Sequence, residues 1–123
     1  MIFVFGSNLA GIHGGGAALY AHKRLGAEWG IGEGITRRTY ALPTKDERIE
    51  SRSLFEVRGS VKTLLMYACL HPEEKFQVTR VGCGLAGFLD EDIAPMFADA
   101  PENCEFDSAW EPWLPGRKFW GTF

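Results

Sequence analysis

The sequence lacks most of the features that would assign it at a glance. No apolar run approaches the roughly 18 residues needed to cross a membrane. The opening "MIFVF" has neither the length, the basic lead-in nor the small-residue cleavage site of a secretory leader. A cytoplasmic protein without a membrane partner is therefore expected. Cysteines are few: Cys69, Cys83 and Cys104 form no CxxC pair, and an odd number argues against a disulfide framework. His13, His22 and His71 are scattered without ligand spacing, so neither a metal nor another cofactor is expected. A basic stripe is missing too. Lys23-Arg24, Arg37-Arg38 and Arg117-Lys118 are each diluted by nearby acids in a chain of net charge −3, which excludes the counterion-displacing surface of a bulk nucleic-acid binder. No GxGxxG with a following acidic residue marks an ordinary dinucleotide fold. Nor is there an internal repeat or a linker, and 123 residues make a single domain, 1–123, with an aromatic-rich extension over 103–123.

What is present alternates between strand and helix patterns. "MIFVFGSN" is short and almost wholly apolar, as a strand buried on both faces of a parallel sheet would be. "GGAALYAHKRLG" places Ala17, Ala21 and Leu25 at helical spacing and offers Gly26 as a C-cap. "RTYALPT" predicts a second strand, stopped by Pro43. The longest helix opens on a capping box of Ser53 and Glu56. It carries an apolar stripe of Leu54, Val57, Val61, Leu64, Leu65 and Ala68 and ends at Pro72. "KFQVTRV" predicts a third strand, and Asp92 is positioned to cap a last short helix, "IAPMFADA", in which Pro95 falls in the tolerated first turn. The pattern predicts an α/β fold with a mainly parallel central sheet in three α/β/α layers.

In such sheets ligands bind where strands end and loops lead into helices. Three unusual loops fall there: "GSNLAGIHGGG", "PTKD" and "GCGLAGF". Gly14-Gly15-Gly16 leads directly into a helix, whose free N–H groups suit a phosphate. Successive glycine N–H groups in the third loop suit an anion-binding nest. Together they would clamp a small diphosphate from two sides by backbone alone.

On these residues the chain resembles the macro domain family. "IFVFGSNLAGIHGGGAALYA", "YALPTKD" and "RVGCGLAGFLDEDIAPMF" are similar to the branch that contains the terminal ADP-ribose glycohydrolase and the DNA-ADP-ribosylation antitoxins, and to small bacterial and phage proteins sharing "GSNLAG", "PTKD" and "GCGLAG". The likeness covers roughly residues 1–100. It implies a macro domain-like fold that binds ADP-ribose or a related NAD-derived nucleotide, free or on an ADP-ribosylated macromolecule. By the same resemblance Asn8 lies beside the distal ribose, and Gly14, Gly15 and Gly16 pack on that ribose and the diphosphate. Thr44 and Lys45 match the family's "TK" pair after the central strand, and Gly82, Cys83, Gly84, Leu85, Ala86 and Gly87 wrap the phosphates. In the hydrolase branch the lysine matched by Lys45 attacks the sugar C1″, chemistry that suits an amine meeting an aldehyde carbon. An aspartate follows "GCGL" there as general acid/base. This chain has Ala86 instead, and a missing acid/base partner costs about 10²–10⁴-fold in rate. Asp46, Asp90 and Asp92 are the nearby carboxylates that would have to substitute.

The same residues have plainer readings. Lys45 also reads as a surface lysine in a polar loop, Asn8 as a turn cap, and Cys83 as either core filler or, facing a helix N-terminus, a nucleophile. His13 reads as a phosphate or ribose contact or as an exposed loop residue, and His71 as a helix-end residue favoured by the dipole. In the tail, "CEF" predicts a further strand, while Trp110, Trp113, Phe119 and Trp120 suit an arm wrapped on the domain, a subunit interface that makes an oligomer, or an aromatic wall for the adenine. Three functions stay open on the sequence: a binding module, an ADP-ribosyl hydrolase acting through Lys45, and a structural or interaction protein without a ligand.

Overall fold

A computed structural model describes all residues, 1–123. Six strands form one sheet in the order β2-β3-β1-β4-β5-β6. They are β1 (Ile2–Asn8), β2 (Gly34–Thr36), β3 (Thr39–Lys45), β4 (Phe76–Val78), β5 (Cys104–Asp107) and β6 (Phe119–Gly121). Only β2 runs antiparallel to its neighbour. The helices are α1 (Gly16–Tyr20), α2 (Leu54–Leu70) and α3 (Asp90–Ile93). The expected α/β class with a mostly parallel sheet is what forms, and no helix is long and apolar enough to cross a membrane.

Alternation along the central strand divides the interior. Ile2 and Val4 of β1, with Tyr40 and Leu42 of β3, join a cluster of 19 buried residues built with α2, α3 and the tail. Phe3, Phe5 and Ala41 point the other way, into a cluster of only 6 with Ala18, Ala21 and Ala27. Strand periodicity of two produces this split directly. From β1 the chain passes to β3 on one side and later to β4 on the other. The carboxyl ends of β1 and β4 are therefore the topological switch point, where connections diverge and a crevice opens.

Local chemistry explains most element ends. Ser53 Oγ accepts from the Glu56 amide at 3.1 Å and the Glu56 carboxylate accepts from the Ser53 amide at 3.0 Å, completing the capping box of α2. At its other end Asn103 Nδ2 lies 2.9–3.0 Å from the carbonyls of Ala68, His71 and Glu74. The His71 ring meets the Tyr67 carbonyl at 2.8 Å, the helix-end position expected for it. α1 runs on through one π-helical turn, Ala21–Leu25, and Gly26 closes it at φ +88°, where an added Cβ would meet Arg37 Cδ at 2.5 Å.

Several boundaries depart from expectation. β3 continues through Pro43 to Lys45, because its last pair with β2 is Gly34 with Ala41 and no ladder on that side needs the missing N–H. β4 stops at Val78, and Arg80 and Val81 already belong to the loop. The last helix starts earlier, at Asp90 with Leu89 in the cap position, so Asp92 lies inside it and caps nothing; Ala94–Phe97 is a 3₁₀ turn. Leu54 is exposed and Ser60 joins the buried face of α2 instead. The tail is no loose arm. "CEF" opens β5, Trp110 is wholly buried against Phe97 and Phe106, and β6 adds a sixth strand whose Trp120 Nε1 donates to the Val78 carbonyl at 2.8 Å.

Candidate functional site

The crevice at the switch point is a cleft of about 520 Å³, within the range of small-ligand sites of about 300–1,000 Å³. Asn8, Gly14, Gly15, Gly16, Thr44, Lys45 and Gly82 to Ala86 all line it, so the three loops singled out by sequence meet in one place. Gly87 does not. At φ +80° it donates its amide to the Gly84 carbonyl at 3.0 Å and closes the turn behind the lining.

The two glycine loops face each other. A Cβ built on Gly15 would stand 3.3 Å from Leu85 Cδ1, whereas one built on Gly84 meets nothing within 4 Å, and one on Gly14 only Ile12 Cγ2 at 3.9 Å. Neither Gly14 nor Gly84 has a positive φ. The protein's own packing and backbone thus make no demand for glycine at these two positions. By contrast Gly82 is required by the fold, at φ +77° with Phe88 and Thr44 against its missing side chain. The amides of Gly14, Gly15, Gly84, Leu85 and Ala86 donate to no acceptor within the protein, so five N–H groups remain free along the two loops.

The charged lining is sparse and one-sided. Lys45 and Arg80 are its only ionisable side chains other than Cys83, and no carboxylate or histidine is among them. Arg80 donates from Nε and Nη2 to Asp90 at 2.9 and 2.6 Å. Asp90 also accepts from Trp110 Nε1 at 2.7 Å. The Arg80 hydrogen bonds, with help from Trp110, hold the Asp90 carboxyl below its ordinary range. Lys45, with no ion-pair partner, is the cleft's one uncompensated cation. Its backbone bridges Ser51, whose hydroxyl donates to the Ala86 carbonyl at 2.7 Å, so Lys45 and Ala86 share one end of the cleft.

The carboxylates that could have replaced the missing aspartate are engaged elsewhere. Asp46 accepts from the amides of Arg48 and Glu50 at 2.9 and 3.0 Å, Asp90 is held by Arg80, and Asp92 does not line the cleft.

The neutral polar side chains of the lining are largely spent on the protein itself. Ser7 donates to the Gly32 carbonyl, Thr44 to Ser7 at 3.4 Å, and Thr79 to Val4 at 2.7 Å. Asn8 clasps the backbone of Ile12 through both ends of its amide, at 2.8 and 3.0 Å, which is the turn-capping reading of that residue. Burial first, and then the negative charge of Asp90, push the Cys83 thiol up to about 12. It stays protonated at neutral pH and is no nucleophile. His13 is neither a ligand contact nor an exposed loop residue: it is wholly buried against Phe5 and Trp29, with Nε2 2.9 Å from the Glu28 carbonyl.

Two lining residues had no clear signal in sequence. Arg80 reaches the cleft because β4 ends two residues before it. Phe123 is the one aromatic ring in the lining, packed edge-on to Tyr20 and Phe3 at centroid distances of 5.2 and 5.8 Å. The nearby Thr122 hydroxyl and Phe123 amide donate to the wholly buried Asp107 at 3.1 and 3.2 Å.

Compared with family models, with curated proteins and with solved structures, the chain matches none.

Proposed function

We propose that this chain is a three-layer, macro domain-like module that binds ADP-ribose or a closely related nucleotide in the cleft. The single observation carrying this reading is the pair of facing glycine loops with five unpaired backbone amides, at a switch point lined by Lys45 and Arg80 and by no carboxylate. Backbone N–H groups converging in a concavity favour an anion, and glycine permits phosphate oxygens to approach them closely. Gly14 and Gly84, which the fold itself does not require, then have a reason: glycine keeps the two loops bare of side chains where phosphate oxygens would approach the backbone. Phe123 offers the base a stacking wall, whereas Trp110, Trp113, Phe119 and Trp120, for which that role was open, do not line the cleft.

Binding is favoured over hydrolysis. By the resemblance Lys45 matches the reactive amine of the hydrolase branch, but no acid/base side chain lines the cleft with it. Its positive charge serves the phosphates in this reading. Gly84→Val is the sharpest test, because the cleft around Gly84 is open and its backbone conformation is ordinary. Calorimetry should find ADP-ribose binding to the wild type and adenosine binding at least about tenfold more weakly, a difference of ~1.4 kcal/mol. Gly84→Val should weaken ADP-ribose binding by a similar factor while the melting temperature holds. Unchanged affinity in the folded variant would reduce the loop to a turn and remove the proposal.

A further inference from the structure

Resting on that reading, we infer that the cleft selects the diphosphate and is indifferent to the identity of the base. Its ligand class is then nucleoside diphosphate sugars as a whole rather than adenine nucleotides. Discrimination between bases requires donors or acceptors aimed at the base edge, and a pocket without them separates bases only by shape. The lining supplies almost none. It holds no carboxylate side chain to accept from an exocyclic amino group, and its three hydroxyls, on Ser7, Thr44 and Thr79, are buried and donate to backbone carbonyls. Asn8 is the one neutral side chain of the lining with a donor to spare, and in the proposed pose it lies beside the distal ribose.

Around the aromatic wall the polar atoms are likewise committed. The Phe123 amide and the Thr122 hydroxyl both donate to Asp107, so neither is a donor for a base, and the Phe123 ring is the one aromatic surface of the lining. Stacking on an aromatic face is tolerant, since every base has a π surface. What remains able to choose is the set of free amides with Lys45, and these read negative charge.

The experiment is a calorimetric titration of the whole chain with ADP-ribose and its base-exchanged counterparts carrying guanine, hypoxanthine or cytosine, which share both phosphates and the distal ribose. The expected result is a set of dissociation constants within about fivefold of one another, equivalent to ~1 kcal/mol. Phe123→Ala should weaken all four by a common factor of about tenfold, in the range of a lost base–aromatic stack. A preference for adenine above fivefold overturns base indifference and leaves the diphosphate reading standing. An unequal loss across the four in Phe123→Ala also overturns it, because the ring would then be reading the base. If none of the four binds, the inference falls together with the function on which it rests.

Discussion

The face of the sheet under α2 and the face under α1 bury very different side chains. Under α2 lie Leu42, Val57, Val61, Leu64, Phe76, Phe97, Phe106 and Trp110, all essentially without solvent contact. Under α1 the only large side chains in the cluster are Phe3 and Phe5, and the rest are alanines. Burying a large apolar side chain contributes about 1.5–3 kcal/mol, so the α2 face supplies most of the hydrophobic stabilisation. The alanine face supplies closeness instead, letting α1 lie near β1 and hold its glycine loop over the strand ends. One face of the sheet keeps the chain folded, while the other brings the Gly14 and Gly15 amides to the cleft.

The comparison can be broken from either side. The largest expected effect is Trp110→Ala, which empties a wholly buried site on the thick face and removes a hydrogen bond to Asp90. It should cost about 3–5 kcal/mol in urea unfolding. On the thin face the informative change is enlargement. Ala41→Leu inserts bulk between β3 and α1 and should cost about 1–3 kcal/mol, with a loss of ADP-ribose affinity larger than its stability loss alone predicts, because α1 carries Gly14 to Gly16. If Ala41→Leu is neutral in both measurements, the thin face is not closely packed. The smallest effect is electrostatic. The Asp90 carboxyl is held below its unfolded value near 3.9 by Arg80. Its contribution is therefore present above about pH 4 and is lost as pH falls through the lower folded value. Asp90→Asn should flatten that part of the acid limb by about 1 kcal/mol or less, since the pair is partly exposed. Stability curves of wild type and variant between neutral and strongly acid pH would read it.

Much of this arrangement is legible in the chain. Local signals carry their own evidence: the capping box at Ser53, the αL glycine at 26 and the apolar run of β1 each depend on neighbours within a few residues. The three cleft loops were also readable, two as glycine clusters at matching strand ends and "PTKD" by its place after the central strand. His13 was not readable, since its burial depends on Phe5 and Trp29, which only the closed fold brings together. Pro43 misled for a related reason: whether a proline stops a strand depends on which neighbour its N–H would have faced, and β2 is too short to be that neighbour. Arg80, although it stands just before the third loop, was silent because only the early end of β4 at Val78 turns it into the cleft, and Phe123 because its place depends on the tail's pairing rather than on its own surroundings in sequence. Asp107 belongs with them, as its three acceptor contacts span residues 109 to 123.

That aspartate gives the cleft a hinge in the thermodynamic sense. β6 pairs with β5 through only a few residues, and beyond it Asp107 holds Thr122 and Phe123 together with the packing of the Phe123 ring on Phe3 and Tyr20. Short edge segments of this kind open at free energies well below global unfolding. Whenever this one opens, the wall at Phe123 leaves the cleft while the two glycine loops stay in place. On the proposed reading, the affinity for a stacked nucleotide would then be the intrinsic affinity scaled by the fraction of molecules with the segment closed. A ligand that needs no wall, such as a bare diphosphate, escapes that penalty altogether.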